Sequence, residues 1–260
     1  MNRNIKTLPG LFALLVVAGS LWSCGDDNKI EPREGQSAAL FNPHKEYGEV
    51  SDIDGNTYKT IAIGGQTWMA QSLRTTHYRN GDPIPHVKDS DAWRNQEQGA
   101  WCSYNHVTHP DSLATFGLLY NWYTVEDERG ICPQGWRVPS REDILELYTY
   151  VADGEGQTGP RGNNTIAGGR LKESGTLHWE WETEHTDNSS GFTAVPSGRR
   201  WSYFEFKGTA FYFWATTLND DPELGSVGNP FAGGASKNFD TASMLTFSKL
   251  QGLAIRCVKN

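Results

Sequence analysis

The sequence predicts an α+β fold, and three observations carry that prediction. Two β-prone runs flank the glycine pair Gly64-Gly65, one well-signalled helix begins at Ser140, and aromatic-rich segments punctuated by glycine fill the last third of the chain. Helices early and mostly antiparallel strands late define the α+β class.

Residues 57–63 and 66–70 are β-prone, and the two glycines between them can take the positive φ angles that a tight hairpin requires. The folded part is therefore expected to open with a β-hairpin. At Ser140 a hydroxyl stands ready to cap helix amides, with Asp143 three residues on near the positive end of the helix dipole. Ile144, Leu145, Leu147, Tyr148 and Val151 then form a helical apolar stripe that Gly154 ends. A second helix is expected over residues 116–125, where Leu118, Leu119, Trp122 and Val125 fall at helical spacing. Beyond Gly154, strands are expected within 191–195, 203–206, 209–216 and 253–258.

Residues 1–23 run in the order basic, apolar, small: Arg3 and Lys6 without an acid, an apolar run over 11–18, then Gly19 and Ser20. This is the order of an export signal. Pro9, Gly10 and Gly19 interrupt the apolar stretch, which falls short of the roughly 20 residues a spanning helix needs. Leu21-Trp22-Ser23-Cys24 resembles a bacterial lipobox, whose cysteine is acylated and becomes the first mature residue, with Trp22 where a small residue is usual. The resemblance implies a lipoprotein signal peptide over 1–23 and a membrane anchor on Cys24, each buried methylene adding roughly 0.8 kcal/mol. A plain secretory peptide with an incidental cysteine is the competing reading. Gly25-Asp26-Asp27 resembles the surface-export signals of some Gram-negative lipoproteins, which implies the outer membrane and its exposed face.

Residues 24–46 are polar and read as a flexible spacer, leaving 47–260 as one domain. Losing Arg3 and Lys6 reduces the 23 basic residues to 21, against 31 acidic ones. Such a surface repels phosphate backbones, so a nucleic-acid partner is excluded.

Catalytic signals are absent: no G-x-S-x-G elbow, P-loop or H-E-x-x-H occurs, and no enzyme activity or cofactor is expected. Cys102, His106 and His109 offer a thiolate and two imidazoles but no nearby fourth ligand, so no metal is expected either. Glu180, Glu182, Glu184 and Asp187 read as a solvated acidic face rather than a glycosidase pair. The densest aromatic block runs from Trp201 to Trp214. Alternate strand residues face opposite sides, so half of it belongs to the core and half is available for contact. Trp201, Tyr203, Tyr212 and Trp214, with the acidic turn at Asp220 and Asp221, are the candidate ligand contacts. The competing reading gives all the aromatics to packing.

Six segments, taken in order, resemble the Fibrobacter succinogenes major paralogous domain, a family of bacterial surface modules. They are Asp54-Gly55-Asn56-Thr57-Tyr58-Lys59-Thr60, Gln66-Thr67-Trp68-Met69-Ala70, Leu119-Tyr120-Asn121-Trp122-Tyr123, Cys132 through Ser140 with Gly135-Trp136-Arg137-Val138-Pro139, Ser190-Gly191-Phe192-Thr193-Ala194 and Ile255-Arg256-Cys257-Val258. The helix entry at 135–140 and the last of these segments are also similar to parts of C-type-lectin-like folds. That wider resemblance implies a mixed, mostly antiparallel twisted sheet with two helices and long glycine-rich loops that display a binding surface.

It also bears on the cysteines. With Cys24 assigned to lipid, Cys102, Cys132 and Cys257 remain, an odd number in an exported protein. Lectin-like folds staple a helix-entry segment to the last strand, which implies a Cys132–Cys257 bond and a buried Cys102; pairing of Cys102 with Cys132 is the alternative. The 125-residue loop of the favoured bond corresponds to about 5 kcal/mol of chain-entropy stabilisation. The functional expectation is a lipid-anchored binding module of the cell envelope, an adhesin or glycan binder meeting a glycan or protein ligand at the surface. The alternative is a structural or assembly subunit of a surface appendage or envelope complex.

Overall fold

The computed structural model describes residues 35–260. Its elements begin with β1 (Gly48–Ser51), β2 (Thr57–Ile63), β3 (Gln66–Met69), α1 (Ser90–Arg94), β4 (Trp101–Cys102), α2 (Pro110–Phe116), β5 (Leu119–Tyr120), α3 (Trp122–Glu126) and β6 (Trp136–Arg137). They continue with α4 (Arg141–Ala152), α5 (Ala167–Leu171), β7 (Ser197–Arg200), β8 (Phe204–Lys207), β9 (Ala210–Leu218), β10 (Pro230–Ser236), β11 (Ala242–Thr246) and β12 (Val258–Lys259). The class is α+β, built on two five-stranded sheets ordered β1-β2-β3-β12-β6 and β11-β10-β9-β7-β8, with β4 and β5 as a separate pair. Every strand pair is antiparallel except β7 with β9, which meet in parallel at Gly198 and Phe211.

The glycine-pair hairpin forms with Ile63 opposite Gln66. Gly64 alone of the pair has positive φ, at 61°, which suits the first central position of a type II′ turn. The domain does not open with this hairpin, however: β1 precedes it and pairs with β2. The helix at Ser140 forms as α4, with a reciprocal capping box between Ser140 and Asp143, and ends at Asp153, which takes the left-handed conformation before Gly154.

Five short α-helices are present among the described residues, where two were expected. The helix expected over 116–125 is replaced by the end of α2, strand β5 and α3. Gly117 is the cause: its φ is 72°, and an added Cβ would lie 2.5 Å from Ser72 Cβ, so the chain turns there against another segment instead of winding on. Residues 191–195 form no strand and are tied in by a single bridge from Ala194 to Lys172.

β10, sequence Pro-Phe-Ala-Gly-Gly-Ala-Ser, is a central strand that strand propensity does not reveal. Its small residues make room for the aromatics of β9: a Cβ on Gly233 would lie 2.6 Å from the Phe213 ring, and one on Gly234 would lie 2.7 Å from Tyr212. β9 itself separates two cores. Phe211 and Phe213 pack with Trp68, Leu147, Tyr148 and Phe192, whereas Trp214 joins Tyr58, Tyr120, Trp122 and Leu253.

Residues 35–46, read from sequence as the end of a flexible spacer, lie along the domain. The Gly35 amide donates to Asp111, Ala38 to Thr115 at 2.9 Å, and Leu40 to the buried Glu173 carboxylate. Two further bonds cross the same seam, Asn42 Nδ2 to the Asn188 carbonyl and Asn188 Nδ2 to the Leu40 carbonyl. Polar composition predicts mobility; here backbone amides and the Asn42 side chain supply docking bonds. Among the described residues, no helix is long and apolar enough to cross a membrane.

Candidate functional site

Three of the six sequence segments meet at one buried side chain. Arg256 of the Ile-Arg-Cys-Val segment is fully buried and forms no ion pair among the described residues. Its Nη1 donates to the carbonyls of Met69 at 3.1 Å and Phe192 at 2.9 Å, its Nη2 to Thr193 at 3.0 Å and its Nε to Ser72 Oγ. The guanidinium also faces the Phe192 and Phe211 rings, at 4.7 and 5.1 Å from their centroids. Burial draws its pKa down to about 9, which leaves it charged at neutral pH. One side chain thus joins three of the segments.

Asn121 is also engaged in internal bonds. Its Oδ1 accepts from Ala100 N at 2.9 Å and caps α3, while its Nδ2 donates to the Gln98 carbonyl at 2.7 Å. Asp52 closes the loop that carries Asp54-Gly55-Asn56, accepting from the amides of Asp54 and Asn56 and from the Tyr58 hydroxyl. A disulfide joins Cys132 to Cys257, leaving Cys102 free and buried, with burial pushing its thiol up to about 11. A protonated, enclosed thiol is a poor nucleophile.

The aromatic block divides more severely than alternation alone required. Trp214 is fully buried and gives its indole N–H to the Tyr120 carbonyl at 2.7 Å, so it is not a surface contact. Tyr212 is half-buried against Phe247. Trp201 is half-buried, Tyr203 is exposed, and they share a turn through the bond from Trp201 N to the Tyr203 carbonyl. Asp220 is exposed, while Asp221 caps the short turn Pro222–Leu224 by accepting from the Glu223 amide at 2.9 Å. The structure does not gather these six residues into one cavity. Cys24 lies outside the described residues.

A cleft of about 480 Å³ opens instead beside the C-terminal end of α4. α4 contributes Tyr150, and its C-cap contributes Asp153; α5 contributes Arg170, the loop before Phe192 contributes Asp187 and Ser189, and Lys45 reaches in from the segment before β1. Ala62 and Ile63, at the end of β2, form the floor. Tyr150 lies on the exposed side of α4 because the apolar stripe at 144, 147, 148 and 151 faces the core. The ring rests on the hairpin turn, where a Cβ on Gly64 would approach its Cδ2 to 2.8 Å. Arg170 Nη1 caps the helix by donating to the carbonyls of Val151 and Ala152, both at 2.9 Å, and its Nη2 pairs with Glu155 at 2.8 Å. Asp187 is steadied by the Ser189 amide at 2.8 Å. Sequence reasoning does not single out Tyr150 and reads Asp187 as a solvated acid, because their proximity arises from packing between α4, α5 and a distant loop.

Other titratable groups hold loops rather than a reaction centre. Burial pushes the Asp54 carboxyl up, but bonds from Thr76, His77 and Thr75 outweigh it and keep the group below the usual carboxylate range. Glu173 pairs with His178 at 2.7 Å and fastens Leu40. Lys172 donates to Thr183 Oγ1 and to the carbonyls of Ser236 and Phe239, and burial, opposed by Asp240 and Glu182, brings it down to about 8. Among the described residues, no three His, Cys, Asp or Glu side chains are grouped to hold a metal ion, and Cys102, His106 and His109 do not assemble one.

The model of the Fibrobacter succinogenes major domain matches residues 61–259. No curated protein and no solved structure matches the chain.

Proposed function

Because the chain belongs to the Fibrobacter succinogenes major domain family, we propose that it is a lipid-anchored binding module of the bacterial outer surface, on a C-type-lectin-like scaffold. The observation that carries this reading is the division of labour among polar groups. Those of the shared segments, Arg256 and Asn121, are engaged in internal bonds, as is Asp52 just before the first of them, whereas an open cleft lined mainly by residues outside the segments and the exposed aromatics Trp181, Tyr203 and Phe239 lie at the surface. Fixed interior and displayed loops are the design of a recognition scaffold. The return of β12 to the first sheet, where it pairs with β3, and the disulfide from Cys257 to the segment before α4 support the lectin-like assignment. The lipobox-like Leu21-Trp22-Ser23-Cys24 supports acylation at Cys24.

Metabolic labelling with a fatty acid tests the anchor. Label is expected in the wild-type chain and absent from Cys24→Ala, which leaves the membrane fraction. Recovery of an unlabelled cytosolic chain that still carries residues 1–23 would overturn the reading. Exposed Trp181, Phe239 and Tyr203, each more than 60 % accessible, favour a second reading as an assembly subunit. Crosslinking on intact cells separates the two, since a subunit recovers a stoichiometric protein partner and a soluble-ligand binder does not.

A further inference from the structure

We propose that the cleft beside the C-terminal end of α4 binds a neutral saccharide, stacked on Tyr150 and held by Asp153, Asp187 and Lys45. The proposal rests on the binding-module reading and gives it a site and a ligand class.

Three observations point the same way. First, the cleft has an aromatic platform: Tyr150 is 60 % exposed and its ring lies against the Gly64 turn. A sugar ring offers one face of C–H groups that packs on such a surface, and a rigid tyrosine gives contact area at little entropic cost. Second, three charged groups around the platform have no ion-pair partner among the described residues. The Arg170 guanidinium is engaged by two helix carbonyls and Glu155, whereas Lys45, Asp153 and Asp187 form no ion pairs among the described residues. Two carboxylates that accept and one ammonium that donates suit hydroxyls around a ring, each of which does both. Third, the charge selects against acidic sugars: two free carboxylates outnumber one free ammonium, on a chain of net charge −8. A polyanion would meet repulsion at the site and from the surface around it.

Size and preorganisation agree. The volume of about 480 Å³ lies within the ~300–1,000 Å³ of small-ligand clefts. The Ser189 amide holds Asp187, and Ser190 Oγ donates to the Arg170 carbonyl at 2.8 Å, so the loop wall is formed before a ligand arrives.

The test passes the detergent-solubilised full chain over immobilised neutral gluco-, manno- and xylo-hexaoses, with polygalacturonate as the acidic arm. Retention is expected on at least one neutral hexaose and not on polygalacturonate. Tyr150→Ala should weaken it about tenfold and Asp187→Asn several-fold, while Tyr203→Ala leaves it unchanged. Tighter retention on polygalacturonate overturns the neutral class. Loss with Tyr203→Ala but not with Tyr150→Ala overturns the cleft and leaves the module reading intact. If no saccharide is retained while cells carrying the protein still adhere to surfaces, the ligand class is wrong; if adhesion is absent as well, the module reading falls with it.

Discussion

The interior around Arg256 and the cleft around Tyr150 are both polar, and they differ in what their polar atoms face. Around Arg256 each guanidinium nitrogen donates to a carbonyl or hydroxyl of the protein, two aromatic rings flank the group, and it is buried. In the cleft, Arg170 is equally engaged, but Lys45, Asp153 and Asp187 line the opening without ion-pair partners among the described residues, Asp187 accepting from the Ser189 amide. The first arrangement stabilises one conformation, because a buried polar group without its partner costs about 1–3 kcal/mol, more when charged. The second stabilises nothing in particular, since unpaired surface charges contribute little to folding. A group whose bonds are incomplete in the free protein is a group available to a ligand. The two regions should therefore respond to substitution in opposite ways, with stability lost in one and binding lost in the other.

The largest effect is expected at Arg256. Arg256→Met removes four hydrogen bonds and leaves the carbonyls of Met69, Phe192 and Thr193 facing an apolar side chain. A loss of about 3–5 kcal/mol is expected, the range for breaking a buried charged network. Arg256→Lys keeps the charge but cannot span three carbonyls, and should fall between. Denaturant unfolding reads both, and a loss below about 1 kcal/mol for the methionine variant would show that the bracket is dispensable.

A smaller loss is expected where the two regions share an edge. The seam between residues 35–46 and the domain is fastened by the buried Glu173, which accepts from the Leu40 amide and pairs with His178. Glu173→Ala leaves both partners unsatisfied, at a cost of about 1–3 kcal/mol. Since Lys45 lies on this segment and reaches the cleft, the same variant should speed tryptic cleavage after Lys45 while the remainder stays folded. Unchanged cleavage would mean that the other seam bonds suffice.

Legibility in the sequence follows the same division. The hairpin at Gly64-Gly65 and the helix at Ser140 were readable because their signals are local: a turn that tolerates positive φ, and a hydroxyl with an acid three residues on. The Cys132–Cys257 bond was reached through the lectin-like resemblance, not through spacing. β10 was hidden because Gly233 and Gly234 serve the rings of Phe213 and Tyr212 on another strand, information that no window around them contains. The contacts of residues 35–46 are not legible because polarity cannot distinguish a solvated segment from one that bonds to Asp111, Thr115 and Glu173. The cleft was missed for a related reason: Lys45, Tyr150, Arg170 and Asp187 are far apart in sequence, and none is unusual by itself. The aromatic block drew attention by density, yet its density reflects two cores on either side of β9, which claim Phe211, Phe213 and Trp214.

The sharpest form of the comparison needs two residues of one type on one helix. Tyr148 and Tyr150 both belong to α4, and two helical steps turn them to different sides. Tyr148 is buried; its hydroxyl donates to the Ser243 carbonyl and accepts from the Gly234 amide, both at 3.0 Å. Tyr148→Phe should cost about 1–2 kcal/mol, because the Gly234 amide is left without an acceptor. Tyr150→Phe should change stability by less than about 0.5 kcal/mol. pH adds a second axis. Burial pushes the Tyr148 phenol well above its ordinary value of 10.0, so the folded chain keeps a proton that the unfolded chain releases. The stability this group contributes is whole below pH 10 and is lost as pH rises further. The wild-type unfolding midpoint should thus fall above pH 10, and Tyr148→Phe should flatten that fall. Equal slopes for this variant and the wild type would mean that the buried phenol does not contribute to the alkaline limit, and the contrast between an engaged interior and an available surface would lose its simplest support.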